Sequence, residues 1–118
     1  MLADPSPCRI GARMTLPTDE KRDLLTVVAT MRAKPGKEQE LRELLESLIP
    51  PTRAEADCVA YALHQGTQDP AVFVFYELWT DQAALDAHLG TPHLQAALPR
   101  IPELLDGDLV ITPLQRVA

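Results

Sequence analysis

The sequence predicts an α+β protein with a ferredoxin-like fold, in which the elements follow the order β-α-β-β-α-β. Two observations predict this order. Short runs of β-branched and aromatic residues alternate with segments whose apolar residues recur at helical spacing. The length of 118 residues suits one hydrophobic core. Because crossover connections are right-handed, we expect both helices on one face of the sheet.

The first 23 residues differ from the remainder, since they show no apolar period and their charges cancel. We expect them to form a flexible leader before a folded domain over residues 24–118, and Met14 is an alternative to Met1 as the natural start. This stretch lacks the apolar run of a secretory signal, and no run of about 18 apolar residues occurs in the chain. We therefore expect a soluble, cytoplasmic protein.

The first predicted strand covers residues 24–31, a run rich in β-branched residues. An amphipathic helix follows, and its apolar positions repeat at i, i+3, i+4, i+7 and i+8. These positions are Leu41, Leu44, Leu45, Leu48 and Ile49. Pro50 and Pro51 then end or kink the helix, because a proline ring clashes with the preceding turn.

Two strands over residues 58–65 and 72–79 form a predicted antiparallel hairpin, because only a short turn separates them. The second strand is apolar on both faces. One face carries Val72, Val74, Tyr76 and Leu78, and the other carries Phe73, Phe75 and Trp79. Since the helices cover only one face, we expect a homodimer in which two sheets meet face to face as an α/β barrel.

The last part of the chain predicts a second helical region and a final strand. Asp81 is the predicted N-cap of a helix that ends at Gly90, and Pro92 begins a further helical turn. Residues 109–112 predict the fourth strand, which Pro113 is expected to end.

Charge and motif content exclude several classes of function. The net charge of −6 argues against nucleic acid and anionic membranes as partners, because no basic stripe is available to bind phosphates. The chain contains no GxGxxG, GxxxxGK[ST], HExxH or GxSxG motif. Cys8 and Cys58 lack metal-binding spacing and are expected to be free thiols. His88 and His93 lie across a Gly-Thr-Pro break, which argues against one helical face of metal ligands. We therefore expect no metal and no other cofactor.

Three side chains at the end of the hairpin and on the helix after it each have a structural and a functional interpretation. Trp79 is either core filling or the wall of a slot for a flat ring. Glu77 is a carboxylate in an apolar strand. Its structural interpretation is an ion pair or an edge-strand site that faces water, and its functional interpretation is an acid of raised pKa or an anchor for a histidine. His88 is either a core histidine or a general base, because its ordinary pKa of about 6.5 suits proton transfer.

The remaining polar candidates are less distinctive. His93 resembles His88 but lies closer to the rim of the predicted fold. His64 shares its strand face with two alanines, so either a helix packs closely there or a cavity remains. Arg53 and Glu55 are expected to form solvated or interface ion pairs.

Several of these residues together resemble the antibiotic biosynthesis monooxygenase family. The most specific part is the string Glu77-x-Trp79-x-Asp81, Ala84-Leu85-x-x-His88 and Thr91-Pro92-His93. Weaker support comes from Lys34-Pro35-Gly36-Lys37, the leucine-rich helix, Pro51-Thr52-Arg53-Ala54-Glu55 and Tyr61-x-x-His64. The resemblance covers about residues 24–115.

The resemblance implies the same dimeric α/β barrel and, for the enzymes of the family, oxygenation of phenols or hydroquinones to quinones without metal, flavin or haem. Such a substrate must reduce O₂ itself, so the site needs a base, an apolar slot and hydrogen-bond donors. The implied roles are His88 as base or proton shuttle, Trp79 as slot wall, Tyr61 or Tyr76 as donor, and Glu77 or His93 as orienting group. His64 and Phe75 complete the expected substrate-binding residues.

Two functions remain open at this point. The first is a cofactor-independent monooxygenase that acts on a small electron-rich aromatic with O₂, and the second is a non-oxygenase dimer that binds or isomerises a small molecule. The haem-degrading relatives carry an asparagine on the first strand, and residues 25–32 contain none, which disfavours haem degradation.

Overall fold

The computed structural model describes residues 23–118, and their strands form one four-stranded sheet. The strands are β1 (Leu25–Arg32), β2 (Cys58–Gln65), β3 (Val72–Trp79) and β4 (Val110–Gln115). Their order across the sheet is β2-β3-β1-β4, and every neighbouring pair is antiparallel. This arrangement confirms the predicted ferredoxin-like α+β fold. The predicted leader, apart from Asp23, and Cys8 lie outside the described residues.

Five helical segments connect the strands in this part of the chain. They are α1 (Glu38–Ser47), α2 (Ile49–Arg53), α3 (Gln82–Leu89), α4 (Pro92–Ala97) and α5 (Ile101–Leu104). The predicted leucine stripe faces the core, with Leu41, Leu44 and Leu45 buried on α1, and the break between α1 and α2 falls at Leu48, just before the proline pair. Pro50 and Pro51 lie in the first turn of α2, where a missing N–H costs no hydrogen bond. None of the helices between residues 23 and 118 has the length and apolar character that a membrane crossing requires.

Local hydrogen bonds set the start of α3 and the bend that follows it. The Asp81 carboxylate accepts a bond of 2.9 Å from the Ala84 N–H, which confirms the predicted N-cap. After Gly90, the carbonyl of His88 accepts bonds from both the N–H and the hydroxyl of Thr91, at 3.1 and 2.7 Å. This turn brings the rings of His88 and His93 to 6.0 Å between centroids.

The fourth strand is longer than the sequence predicts. Pro113 was expected to end it, but β4 continues to Gln115 and Pro113 pairs in register with Val27. The physical reason is position, because β4 is an edge strand and tolerates a residue without an N–H.

The two faces of the sheet differ in how they are covered. The helices pack on the inner face, whose register unites Val27, Ala29, Phe75 and Trp79 in the buried core. The outer face carries the opposite parity, and its β3 side chains Val72, Val74 and Tyr76 are only partly buried within the described chain. Exposed apolar side chains at Val110 and Leu114 extend this second surface. The inner face is therefore the one that a site enclosed within one chain can use.

Candidate active site

Three side chains from separate segments meet on one carboxylate oxygen. Glu55 follows α2, His88 lies in the last turn of α3, and His93 lies in the first turn of α4. The Oε2 atom of Glu55 lies 2.8 Å from His88 Nδ1 and 2.8 Å from His93 Nε2. Because a carboxylate oxygen only accepts, the assignment that satisfies both bonds places a proton on each of these nitrogens. We call these three residues the Glu55 cluster.

The tautomer of His88 follows from this contact. Its Nδ1–H donates to Glu55, so the neutral ring keeps a lone pair on Nε2. Across residues 23–118, that second nitrogen has no hydrogen-bond partner. A carboxylate thus orients the His88 imidazole and leaves Nε2 as an acceptor, the arrangement found in nucleophile-activating triads.

The segment that carries Glu55 is itself fastened to the sheet. Two N–H groups of the Arg53 guanidinium, on Nε and Nη2, donate to the carbonyl of Tyr61 at 3.1 and 2.9 Å, which ties the end of α2 to β2. The sequence predicted a solvated or interface ion pair for Arg53, whereas the structure uses it for this backbone contact. Because the anchor lies two residues before Glu55, it limits the movement of the carboxylate.

Aromatic rings surround His88 on the sheet side. The Trp79 side chain is completely buried, and its ring centroid lies 4.5 Å from that of His88 with a tilt of 37°. Tyr61 stacks on Phe75 at 4.5 Å and meets His88 edge-on at 5.6 Å. These rings pack against the imidazole, whose side chain is only 3% exposed.

Glu77 lies on the same strand face as Trp79, two residues earlier. Its Oε1 accepts a bond of 2.9 Å from the Trp79 indole N–H, the only bond it makes within the described chain. Burial raises the pKa of Glu77 to about 7, against the opposing effect of the indole bond. Near neutral pH this carboxyl therefore exists in both protonated and ionised forms.

Burial shifts the pKa values of His88 and Tyr61 in opposite directions, and in each case favours the neutral form. It lowers the pKa of His88, with the bond to Glu55 acting in the opposite direction, so the ring is neutral at neutral pH. It raises the pKa of Tyr61 well above its usual range, and the Glu77 charge adds to this shift. Tyr61 is thus held as a phenol, which can donate a hydrogen bond.

A small apolar cavity lies between the inner face and the helices. Its volume is about 40 Å³, and its walls include the polar residues Tyr61, Glu77 and His88. The remaining walls are largely aliphatic, from Ala29, Met31, Leu45, Leu48, Leu85, Leu89, Leu94, Leu98, Ile101, Leu109 and Ile111, with Phe75. This volume is of the size of a few water molecules, whereas an apolar cavity that binds benzene measures roughly 150 Å³. Trp79 lies behind His88 rather than on the cavity wall.

The structure groups six of the eight site residues that the sequence predicts. His88, Trp79, Glu77, Tyr61, Phe75 and His93 lie together on the inner side of the sheet. Tyr76 has the opposite parity on β3 and lies on the outer face. His64 pairs in register with Val74 and lines a separate groove of about 230 Å³ at the β2 edge.

Glu55 is the site residue that sequence reasoning missed, because it was interpreted as a solvated or interface ion-pair residue. Its two partners lie 33 and 38 positions further along the chain. The bend at Gly90 also brings together two histidines that the sequence kept apart. As a result, Glu55, His88 and His93 form the one set of three potential metal ligands between residues 23 and 118, with ligand atoms within 4.8 Å of one another.

Comparison with known proteins identifies the family to which the chain belongs. The family described as antibiotic biosynthesis monooxygenase matches residues 24–100, which include the Glu55 cluster and the Glu77–Trp79 pair. The chain belongs to this family. The resemblance seen in the sequence is thereby confirmed, and so is a place among proteins described as monooxygenases.

Relatives and solved structures agree with the family match. The chain is 30% identical over 97 residues to the "Probable quinol monooxygenase YgiN" of Escherichia coli strain K12, covering 74% of this chain and 89% of that one. The structure of Rv0793 from Mycobacterium tuberculosis is similar with a TM-score of 0.77 at 32% identity, over 80% of this chain and 96% of that one. The uncharacterized protein sll1783 of Synechocystis is 32% identical over 83 residues, or 70% of this chain, which spans 56% of the length of that protein.

Proposed function

We propose that the chain is a cofactor-independent monooxygenase that oxidises a small electron-rich phenol or hydroquinone with O₂. The observation that carries the proposal is His88, whose Nδ1–H bonds Glu55 while its ring lines an apolar cavity. One oxygen atom enters a ring carbon as a carbonyl oxygen, and the other leaves as water. The substrate supplies all four electrons, so a phenol and O₂ give a quinone and water.

The first step of the proposed reaction is loss of the phenolic proton to Nε2 of His88. The ring is neutral because burial lowers the pKa of His88, so it is ready to accept this proton. The resulting imidazolium is stabilised by the Glu55 carboxylate at 2.8 Å. The phenolate that forms is electron-rich enough to transfer an electron to O₂, which then bonds to the ring carbon.

The second step breaks the O–O bond of the ring-bound peroxide, and its outer oxygen leaves as water with one proton from Glu77 and one from the His88 imidazolium. The ring carbon loses its hydrogen as a proton to the Glu77 carboxylate and becomes a carbonyl, which restores both side chains. Glu77 lines the same cavity with its pKa raised to about 7 by burial, so its protonated form is available near neutral pH. We assign it as the proton donor to the peroxide oxygen, with the Tyr61 phenol as a hydrogen-bond donor to the adduct. An apolar lining excludes water from this adduct.

Entry of an aromatic ring requires the cavity to open, because about 40 Å³ is smaller than the roughly 150 Å³ of an apolar cavity that binds benzene. Leu89, Leu98 and Leu109 line the cavity and are only partly buried, so we propose that they move aside. Trp79 stays behind His88 and supports the imidazole instead of touching substrate.

We also propose that the active form is a homodimer that joins the outer faces of two sheets. The half-buried Val74 and Tyr76, with the exposed Val110, form an apolar surface that a second copy would cover. Sedimentation should give about twice the 13.0 kDa of one chain. Val74→Lys should reduce this to one chain, while Lys37→Glu on the helix side should leave it unchanged. A wild-type chain that sediments as a monomer contradicts the dimer.

Oxygen uptake by the purified protein on a panel of phenols and hydroquinones tests the oxygenase proposal. Label from ¹⁸O₂ should enter the quinone at one atom per molecule. His88→Ala should abolish turnover, Trp79→Phe should lower it, and His64→Ala on the other side of the sheet should leave it unchanged. Equal rates for wild type and His88→Ala, or the absence of uptake with every substrate, would contradict the proposal.

A second candidate is an isomerase of a small molecule, favoured by one observation. His88 and Glu77 line the same cavity, where the neutral His88 can accept a proton and the protonated Glu77 can donate one. Such a pair suits a reaction that moves a proton between two atoms of one substrate. Conversion of a substrate under nitrogen at the rate seen in air identifies this function. An absolute requirement for O₂ excludes it for that substrate.

A further inference from the structure

The Glu55 cluster has the ligand composition of a transition-metal site. Two imidazole nitrogens and one carboxylate oxygen lie within 4.8 Å of one another, each on a different segment of the chain. Two histidines and one carboxylate are a donor set that Zn²⁺ and neighbouring divalent ions of the first transition row bind in proteins. The cluster thus combines the right donor atoms with short mutual distances.

The donor atoms lie slightly closer together than a tetrahedral ion requires, so binding an ion needs the three side chains to move apart by about 0.5 Å. Glu55 Oε2 lies 2.8 Å from each imidazole nitrogen. At metal–ligand distances of about 2.0–2.2 Å, two donor atoms this far apart subtend an angle of about 80–90° at the ion. An ion bound by all three replaces the two N–H···O bonds with direct coordination and keeps positions open for water.

The ligands are held in place and are reachable from outside. The Thr91 hydroxyl donates to the His88 carbonyl at 2.7 Å and lies 3.2 Å from His93 Nε2. The side chains of Glu55 and His93 are 17% and 20% exposed, and His93 lines a surface groove of about 240 Å³. An ion therefore reaches the cluster through the His93 side without entering the apolar cavity.

We infer that Glu55, His88 and His93 bind one divalent transition-metal ion of the Zn²⁺ type, and that the bound ion prevents His88 from acting as a base. Coordination uses the Nδ1 lone pair of His88, so the neutral ring must carry its proton on Nε2 instead. The nitrogen that otherwise accepts a proton from substrate then becomes a donor. Binding itself goes beyond the proposed function, and only the inhibition rests on it.

The test begins with binding, measured without any substrate. The full chain is freed of metal by chelation and titrated with Co²⁺, whose visible ligand-field bands report coordination, and Zn²⁺ is then added as competitor. We expect one Co²⁺ per chain, displaced by Zn²⁺. Loss of an outer-sphere partner already lowers metal affinity about 10–100-fold, so His93→Ala and Glu55→Gln should weaken binding by at least about 100-fold.

His64→Ala is the matched control, because the chain has three histidines and His64 lies outside the cluster. Its Co²⁺ affinity should equal that of wild type. Near-ultraviolet circular dichroism of each variant shows that the fold is retained. Unchanged affinity in both cluster variants, loss of binding in His64→Ala, no binding by wild type, or a thiolate-to-cobalt charge-transfer band overturns the site.

The tautomer gives a second and independent readout. Long-range ¹H–¹⁵N spectra of the imidazoles should show His88 with Nδ1 protonated in metal-free protein and with Nε2 protonated once Zn²⁺ is added. A His88 that keeps Nδ1 protonated at saturating Zn²⁺ overturns the inference even if Co²⁺ binds. Neither measurement requires turnover, so failure of the metal site and failure of the oxygenase proposal are separate results.

Discussion

Two carboxylates lie at opposite ends of the candidate site, and they differ in the number of hydrogen-bond donors they contact and in their burial. Glu55 accepts two imidazole N–H bonds at the rim, where its side chain is 17% exposed. Glu77 accepts one indole N–H bond in the interior, and burial raises its pKa to about 7. The comparison teaches that donor number and burial, rather than residue type, determine which carboxyl orients a base and which can supply a proton.

Of the changes to the two carboxylates and their donors, the largest effect is expected from the carboxylate that orients His88. Glu55→Gln should lower kcat by about 10²–10⁴-fold, because an amide no longer selects the His88 form with Nδ1 protonated. Oxygen uptake on the best substrate of the panel measures it. Glu46→Gln is the control, since Glu46 is an exposed partner of Arg42 on α1. A Glu55→Gln rate within about threefold of wild type would remove Glu55 from the mechanism.

Glu77 should give the chain a pH-dependent stability that Glu77→Gln lacks. Between the ordinary pKa of 4.5 and about 7, the folded state holds this proton and the unfolded state does not. Unfolding then releases a proton, so the free energy of unfolding falls as pH rises through this range, by about 3 kcal/mol in total.

Urea unfolding at pH 5 and pH 8 measures this effect as the difference between wild type and Glu77→Gln. The difference removes the opposite trend from His88, whose lowered pKa makes folding more favourable as pH rises. Equal pH dependence in both proteins would contradict the raised pKa of Glu77.

Removing only the indole donor sharpens the comparison further. Trp79→Phe keeps a large ring but leaves the Glu77 carboxylate without its N–H bond, so the pKa of Glu77 should rise above about 7. The loss should cost about 1–3 kcal/mol of stability at high pH. The infrared band of the protonated carboxyl, followed against pH, measures the shift. Phe73→Leu is the control, because Phe73 is buried on the same face, and a midpoint moved equally there would refute the donor's role.

The smallest effect is expected at the second histidine on Glu55. His93→Ala removes one of two donors and leaves the His88 bond in place, so kcat should fall about fivefold, equivalent to about 1 kcal/mol. Steady-state oxygen uptake in metal-free buffer measures this change. A loss as large as that of Glu55→Gln would mean that His93 takes part directly in the proton transfer.

The fold could be predicted from sequence because its signals are local. The leucine spacing of α1, the hairpin of β2 and β3, and the Asp81 cap each depend on residues within a few positions of one another. The course of β4 through Pro113 could not be predicted in this way, because it depends on which strand lies at the edge of the sheet.

The site was predictable only in part, for a related reason. Strand alternation already puts Glu77 and Trp79 on one face and Tyr76 on the other, but choosing between Tyr61 and Tyr76 requires knowing which face the helices cover. The contacts of Glu55 with His88 and His93 join residues 33 and 38 positions apart, and the second depends on the turn at Thr91. No periodicity in the sequence encodes such a contact.

Pro113 has a consequence for how the chain behaves when crowded. An extended peptide that adds to the free side of β4 meets one position that offers no amide hydrogen. Growth of a fibril along the β4 edge therefore lacks one backbone hydrogen bond at Pro113 for each added strand. The border formed by β2, which contains no proline, is where self-templated stacking would begin.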